Sequence, residues 1–304
     1  MSFAPIVLFV YNRPWHTCQT VAALQKNENA SESDLFIYAD GAKSEQDWDK
    51  VNQVRKYIKS INGFKSVNIA LSDNNKGLAN SIVNGVTEVI NKFGKVIVLE
   101  DDIVTSPGFL KYMNEALNLY EKEEKVMHIS GYFSPVITKL PETFFYNQTS
   151  CWGWATWERA WNYFNSNANY LYNEIIKQNK TKEFNIDDSY PFLSQLEANI
   201  NGNLYTWAIK WHASVFLNHG LCLHPNKSLV QNIGHDGTGE NSLNSNNYYI
   251  KTLADNIPVS KIPLKESKKA RKAMVCFNRG ITSIFSYRIQ KLLFRLKKKM
   301  SSWL

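Results

Sequence analysis

The chain has 304 residues, 44% of them hydrophobic and 13% aromatic, with a formal net charge of +8. That length and composition exclude a disordered or low-complexity protein and supply enough apolar surface for one large domain or two fused ones. The charge is local: from Lys265 to Leu304 there are twelve Lys or Arg against Glu266 alone, a net +11, so the preceding 264 residues carry −3. Cys18, Cys151, Cys222 and Cys276 lie far apart without a CxxC pair or a Cys/His ligand spacing, which suggests neither a disulfide framework nor a zinc site and makes a reducing cytoplasm the easier reading. Met1 to Tyr11 has no basic n-region or small-residue cleavage site, and no stretch reaches about 18 continuous apolar residues, so the expectation is a chain that is neither exported by a signal peptide nor membrane-spanning.

In chain order, Pro5 to Tyr11 is a short apolar run followed by Asn12-Arg13-Pro14 and a helix with Cys18, Val21, Ala22 and Leu24 on one face. Leu35 to Ala39 is a second run and ends at Asp40-Gly41; Val51, Val54, Ile58 and Ile61 then recur at helical spacing. Val67, Ile69 and Leu71 alternate as a third strand, and Asn75-Lys76-Gly77 turns into a helix burying Leu78, Ile82, Val86 and Val89. The fourth unit opens with Lys95-Val96-Ile97-Val98-Leu99 and stops at Glu100-Asp101-Asp102. Four branched apolar residues without alternation mark a strand buried on both faces of a parallel sheet. Strand and helix alternating four times predicts such a sheet with helical crossovers, a nucleotide-binding type of half-domain.

The acids therefore fall at a strand's carboxyl end, the edge where ligands bind in open α/β sheets. Continued extension would turn Glu100 and Asp102 to one side and Asp101 to the other. One or two carboxylates holding Mg²⁺ or Mn²⁺, with phosphates and water completing the shell, is the usual arrangement for so hard a cation. The bland alternative is that the acids cap the strand and the next helix; against it, Ser106-Pro107-Gly108 already supplies a helix start with Ser106 as N-cap. That helix carries Phe109, Met113, Ala116 and Tyr120.

The second half is less regular. Met127 to Ser130 and Phe144 to Tyr146 read as strands, and Ser150 to Trp161 holds four tryptophans. Trp154, Trp157 and Trp161 fit one buried helix face, and Trp152 is the one placed toward a ligand. Tyr170 to Glu183 reads as a helix, Asn185 to Tyr190 as a polar loop, Trp207 to Leu217 as a helix capped by Thr206, and Asn226 to Ile233 as strand or loop. Gly234-His235-Asp236-Gly237-Thr238-Gly239-Glu240 is either a loop that orders over a bound nucleotide or a surface turn. From Phe277 to Leu304 an apolar stripe runs along a basic helix, expected to lie on anionic lipid with Trp303 at the boundary; docking on its own domain and nucleic acid are the competing readings, and no nucleic-acid partner is favoured. Asn29, Asn147, Asn179 and Asn226 begin N-x-Ser/Thr matches, which occur by chance.

VLEDDIVTSPGFLKYMN, SCWGWATWERAW and SLVQNIGHDGTG together resemble the GT-A glycosyltransferases related to N-acetylglucosaminyltransferase I and their bacterial, family 2-like relatives in surface-polysaccharide assembly. The resemblance runs from Pro5 to about Gly239. It implies a Rossmann-like, mostly parallel sheet flanked by helices, with a donor-binding half over residues 1–125, an acceptor half over 126–260 of the same domain, and a basic amphipathic helical tail over 261–304. It implies an inverting transfer from a UDP-sugar, of the N-acetylhexosamine type, to a glycan acceptor, expected to be lipid-linked, at the inner face of the membrane.

By this resemblance Asp102 contacts the metal, Glu100 and Asp101 lie toward ribose and donor sugar, Arg13 reaches the diphosphate, Asp40 reads the uridine, and Lys76 and Gly77 pass the nucleotide. The family's base is an Asp, which in the bacterial relatives stands two residues before the tryptophan matching Trp207. Here that position is Tyr205, a poor base at neutral pH. Substitutes are Asp187, Asp188, Asp236 and Glu240, with Asp236 preferred. His235 is a further contact for metal or diphosphate, or an ordinary surface histidine. The departure at Tyr205 keeps open a catalytically silent GT-A-fold protein that binds a nucleotide sugar or glycan. A nucleotidyltransferase is a third possibility, but Tyr11-Asn12-Arg13-Pro14 lacks the glycine of a phosphate loop.

Overall fold

The computed structural model describes residues 3–236 and 249–280. Its centre is strand β1 (Ile6–Val10), every residue of which is buried. Parallel neighbours stand on either side, β2 (Asp34–Ala39) and β4 (Lys95–Glu100), with β3 (Ser66–Leu71) parallel to β2 at the edge. Alternation sorts the side chains into two layers. Ile6, Leu8, Val10, Leu35, Ile37, Ile97 and Leu99 face one core, shared with helices α1 (Pro14–Leu24), α2 (Trp48–Ile58) and α4 (Phe109–Leu119). Val7, Phe9, Val96 and Val98 face the other, against α3 (Leu78–Phe93). A sheet covered on both faces explains why these strands carry unbroken apolar runs.

The same sheet continues through the second half of the chain. In order, its strands are β3, β2, β1, β4, β8 (Trp154–Trp157), β6 (Val126–Ser130), β9 (Leu221–Pro225) and β7 (Thr143–Tyr146). β8 is antiparallel to both β4 and β6, β9 is parallel to β6, and β7 is antiparallel to β9. The architecture is therefore α/β, with a central mixed sheet flanked by helices, and the expected division at 125/126 lies within one hydrogen-bonded sheet.

Several local expectations are corrected. Trp154 and Trp157 are strand residues, not a helix face; only α5 (Glu158–Trp161) is helical. Three residues apart on a strand means opposite faces, so Trp154 packs with Trp161, Trp207 and Trp211 at ring distances of 5.9, 5.2 and 6.4 Å, while the Trp157 indole N–H crosses to donate to the Leu117 carbonyl at 3.1 Å. The helix expected over 170–183 is interrupted by Asn179 at φ 55°, leaving α6 (Ala168–Lys177) and α7 (Thr181–Phe184). With α8 (Phe192–Ile200) and α9 (Ala208–Leu217) these helices build a further core around Phe144, Tyr146, Phe184 and Leu196. Helix α10 (Lys268–Asn278), capped by the Ser267 side chain, adds Ala270, Met274 and Val275 to it. The first part of the segment read as a tail from 261 thus belongs to the folded body, and residues 281–304 of the expected amphipathic helix lie outside the described residues. Among the described residues no helix is long and apolar enough to cross a membrane. Thr206 does not cap α9: Trp207 is the N-cap residue, and the Thr206 amide donates to Asn199 Oδ1.

Helix α4 starts at Phe109, with Gly108 rather than Ser106 as its N-cap residue, and the Leu110 amide is served by a distant side chain. Asn27, at the end of α1, accepts from the Leu110 amide at 2.9 Å and donates to Thr105 Oγ1 at 2.8 Å. Asn27→Leu would strand both partners in a buried place, and a loss of about 1–3 kcal/mol of stability is expected in urea unfolding.

Candidate functional site

β1 and β4 end side by side, with Phe9 in register with Glu100. Beyond β1 the chain enters α1 through Arg13, its N-cap residue, with Pro14 opening the helix. Beyond β4 the backbone turns at Asp101-Asp102 and continues as a short strand, β5 (Ile103–Thr105), antiparallel to β10 (Val230–Asn232). This two-stranded pairing was not legible in the sequence, and it is what brings the glycine-rich segment to the acids. The Ile233 amide donates to the Asp102 carbonyl at 2.9 Å, and the chain then crosses the site at Gly234. A Cβ there would stand 2.0 Å from Asp102 Oδ2 and 2.9 Å from Arg13 Nη2, so only glycine passes without displacing the pair.

One guanidinium meets three carboxylates. Arg13 Nη1 lies 2.7 Å from Asp102 Oδ2 and 3.6 Å from Asp101 Oδ1, and its Nη2 is 3.7 Å from Asp236 Oδ1. Asp236 is held on its other oxygen by His16 Nε2 at 3.0 Å. His16 was not singled out in the sequence; its position three residues after Arg13 on the same helix start was the available signal. Burial, then the Arg13 charge, lowers the His16 pKa, which favours a neutral imidazole donating from Nε2 to the carboxylate. Burial, then the neighbouring Asp102 and Asp101 charges, raises Glu100 well above the ordinary carboxylate range. Burial followed by the Asp102 charge pushes Asp101 up to about 7, against the pull of Arg13. The expected pairing of Glu100 with Asp102 on one side assumed extended backbone; because the chain turns at 101–102, Arg13 instead reaches Asp101 and Asp102 together. Trp152 is half-buried between Tyr132 and His235, with ring distances of 4.5 and 5.1 Å.

The nucleotide-reading residues expected from resemblance form a second group on the same edge. Asp40 is buried, and its carboxylate accepts from the amides of Gly41, Lys76 and Gly77 at 2.9, 2.8 and 2.9 Å. It thereby fixes the turn into α3, where Gly77 takes φ 76°. Most of its accepting capacity is committed to that turn. Tyr205 stands across from it: its hydroxyl donates to Asn80 Oδ1 at 2.8 Å, and Asn80 donates to the Lys76 carbonyl at 2.8 Å. Asp187 is engaged elsewhere, 3.3 Å from Arg271 on α10. Asp188 shares that left-handed turn, with φ 57°. Gly237, Thr238, Gly239 and Glu240 lie outside the described residues.

No protein-family model matches the chain, and no curated protein matches it. Among solved structures, a mannosyltransferase from Pyrobaculum calidifontis, PcManGT in complex with GDP-Man and Mn²⁺, aligns over 71% of this chain and 70% of its own at 10% identity, with a TM-score of 0.41. Likeness at that level says nothing of this chain's chemistry, which has to come from the side chains themselves.

The chemistry of these side chains offers a hard divalent cation one carboxylate, Asp102, already paired with Arg13. Among the described residues no cluster of three or more His, Cys, Asp or Glu forms a complete cage. What is present is the Asp102 carboxylate under the bare Gly234 backbone, with the Arg13 guanidinium as a cation already seated on it. A site completed by phosphate oxygens and water needs no more protein ligands than that.

Proposed function

We propose that the chain is an inverting, divalent-cation-dependent glycosyltransferase that takes a sugar from a nucleoside-diphosphate sugar and passes it to a glycan. The observation that carries the reading is the convergence of Arg13, Asp102 and Asp236 from three distant segments at the carboxyl edge of the sheet. A cation at Asp102, Mn²⁺ or Mg²⁺, would neutralise charge growing on the departing diphosphate. Arg13 donates to the same diphosphate from the start of α1. Asp236, its side chain 40% exposed and oriented by His16, takes the proton of the attacking hydroxyl. Asp101 and Glu100 stand behind Asp102 on the side of ribose and sugar.

Uridine as the base and an N-acetylhexosamine as the sugar rest on the sequence resemblance, as does a lipid-linked acceptor in surface-polysaccharide assembly. Cytoplasmic placement, peripheral on the inner membrane face, rests on the basic segment 265–304. The second reading, a silent nucleotide-sugar or glycan binder, is favoured by Tyr205 standing hydrogen-bonded to Asn80 where the resemblance expects a base. The two separate by NMR of the full chain with UDP-GlcNAc, Mn²⁺ and a glycan mixture. Slow release of UDP with a β-configured sugar product supports the enzyme, whereas an unchanged donor that nonetheless binds supports the silent binder.

Arg13 occupies Asp102 before any diphosphate arrives, so the diphosphate frees the carboxylate as it draws the guanidinium away. Arg13→Gln should therefore bind Mn²⁺ more tightly than wild type without nucleotide, by about tenfold for roughly 1.4 kcal/mol of lost competition. Mn²⁺ electron paramagnetic resonance reads this directly. Because Asp101 titrates at about 7, cation binding should also tighten as pH rises from 6 to 8.

A further inference from the structure

Lys210 lies in the first turn of α9, is only 8% exposed, and has its ammonium 4.7 Å from the centre of the Tyr205 ring. Among the described residues no carboxylate, amide or hydroxyl pairs with that ammonium. The other enclosed cations of the fold are matched: Arg271 to Glu266 and Asp187, Arg55 to the Asp40 and Ser72 carbonyls, Arg159 to the Tyr120, Glu121 and Val126 carbonyls, Lys95 to Asn118. The stem of Lys210 is enclosed, burial lowers its pKa, and the ammonium keeps a cation–π contact with the Tyr205 ring. The surrounding geometry keeps the charge at the site rather than away from it. Tyr205 is tied through Asn80 to Lys76, so the ammonium stands at the seam between α9 and the turn that Asp40 organises. The Tyr205 ring over which the ammonium lies is 63% exposed, a flat apolar surface beside a cation that no anion neutralises among the described residues. Trp207, three residues before Lys210, stacks on Trp154 with ring centroids 5.2 Å apart.

We propose that Lys210 and Tyr205 form a subsite for an acidic sugar: the ring carries the apolar face of a pyranose and the ammonium takes its carboxylate or phosphate. This deepens the glycosyltransferase reading by naming the acceptor class, a glycan bearing an anionic residue. A lysine serves such a group as a point charge without demanding one oxygen geometry.

The test uses the full chain without donor or metal, so it stands or falls apart from the donor site. Saturation-transfer NMR compares methyl β-D-glucuronide, glucose 6-phosphate and methyl β-D-glucoside on wild type, Lys210→Met, Lys210→Arg and Tyr205→Ala, with inorganic phosphate read by its displacement of glucose 6-phosphate. The expected result is that the charged sugars bind about tenfold or more tightly than the neutral glucoside, the worth of one charge-assisted contact. Lys210→Met should erase that preference without lowering the Tm, Lys210→Arg should keep it, and Tyr205→Ala, a change on the surface, should weaken both charged sugars. Whichever of glucuronide and sugar phosphate binds better names the anion. Equal binding of charged and neutral sugars by wild type, a preference that survives Lys210→Met, or inorganic phosphate bound as tightly as glucose 6-phosphate would overturn the proposal.

Discussion

Asp102→Ala is expected to remove sugar transfer almost completely, with kcat/KM down on the order of a thousandfold or more, because the cation supplies several kcal/mol of charge stabilisation to the departing diphosphate. The fold should survive. Asp102 makes its side-chain contact to Arg13, which retains Asp101 and Asp236 as partners, so the melting temperature is expected to stay within a few degrees of wild type. Loss of activity together with loss of the fold would assign Asp102 to architecture, and full activity in the variant would place the cation elsewhere.

Asp236→Asn should lower kcat by about a hundred- to ten-thousandfold, the range for removing a general base, while leaving donor binding in place. Asparagine keeps the shape and, through its one accepting oxygen, one of the two contacts to Arg13 and His16, but it cannot accept a proton. The geometry makes the distinction sharp: the carboxylate has one oxygen facing Arg13 at 3.7 Å and the other on His16 at 3.0 Å, and its side chain is the most open of the four in the cluster. A variant that loses KM for the donor rather than kcat would make Asp236 a diphosphate-side residue. Tyr205, or an acid in the segment beyond Asp236, would then have to serve the acceptor hydroxyl.

What the sequence disclosed and what it hid follow from the same physics. The run Val96 to Leu99 was legible because a strand covered on both faces needs an apolar side chain at every position. Arg13, Asp102 and Asp236 were nameable one by one, but the contacts between them were not, since they depend on β5 and β10, each three residues long and too short to show a period. The tryptophans misled because residues 154, 157 and 161 satisfy a helical spacing while the strand places the first two on opposite faces. Ser106-Pro107 carried the letters of a helix start, yet Asn27, 83 residues before Leu110, accepts from that residue's amide in the first turn. Asp40 was recognisable as a strand-end acid, but no local pattern tells that its oxygens hold the amides of Lys76 and Gly77. Lys210 hid for the opposite reason: on the sequence it is one lysine among many, and only burial without a partner sets it apart.

The most direct test of the account is calorimetric titration of UDP-GlcNAc into the full chain, with and without Mn²⁺, repeated on Asp102→Ala. Binding that requires the ion and vanishes in the variant is the predicted result. If no nucleotide sugar binds in the presence of Mn²⁺, or binding is indifferent to both the ion and Asp102, the cluster of Arg13, Asp102 and Asp236 is a structural ion-pair network and the donor site at this edge of the sheet is contradicted.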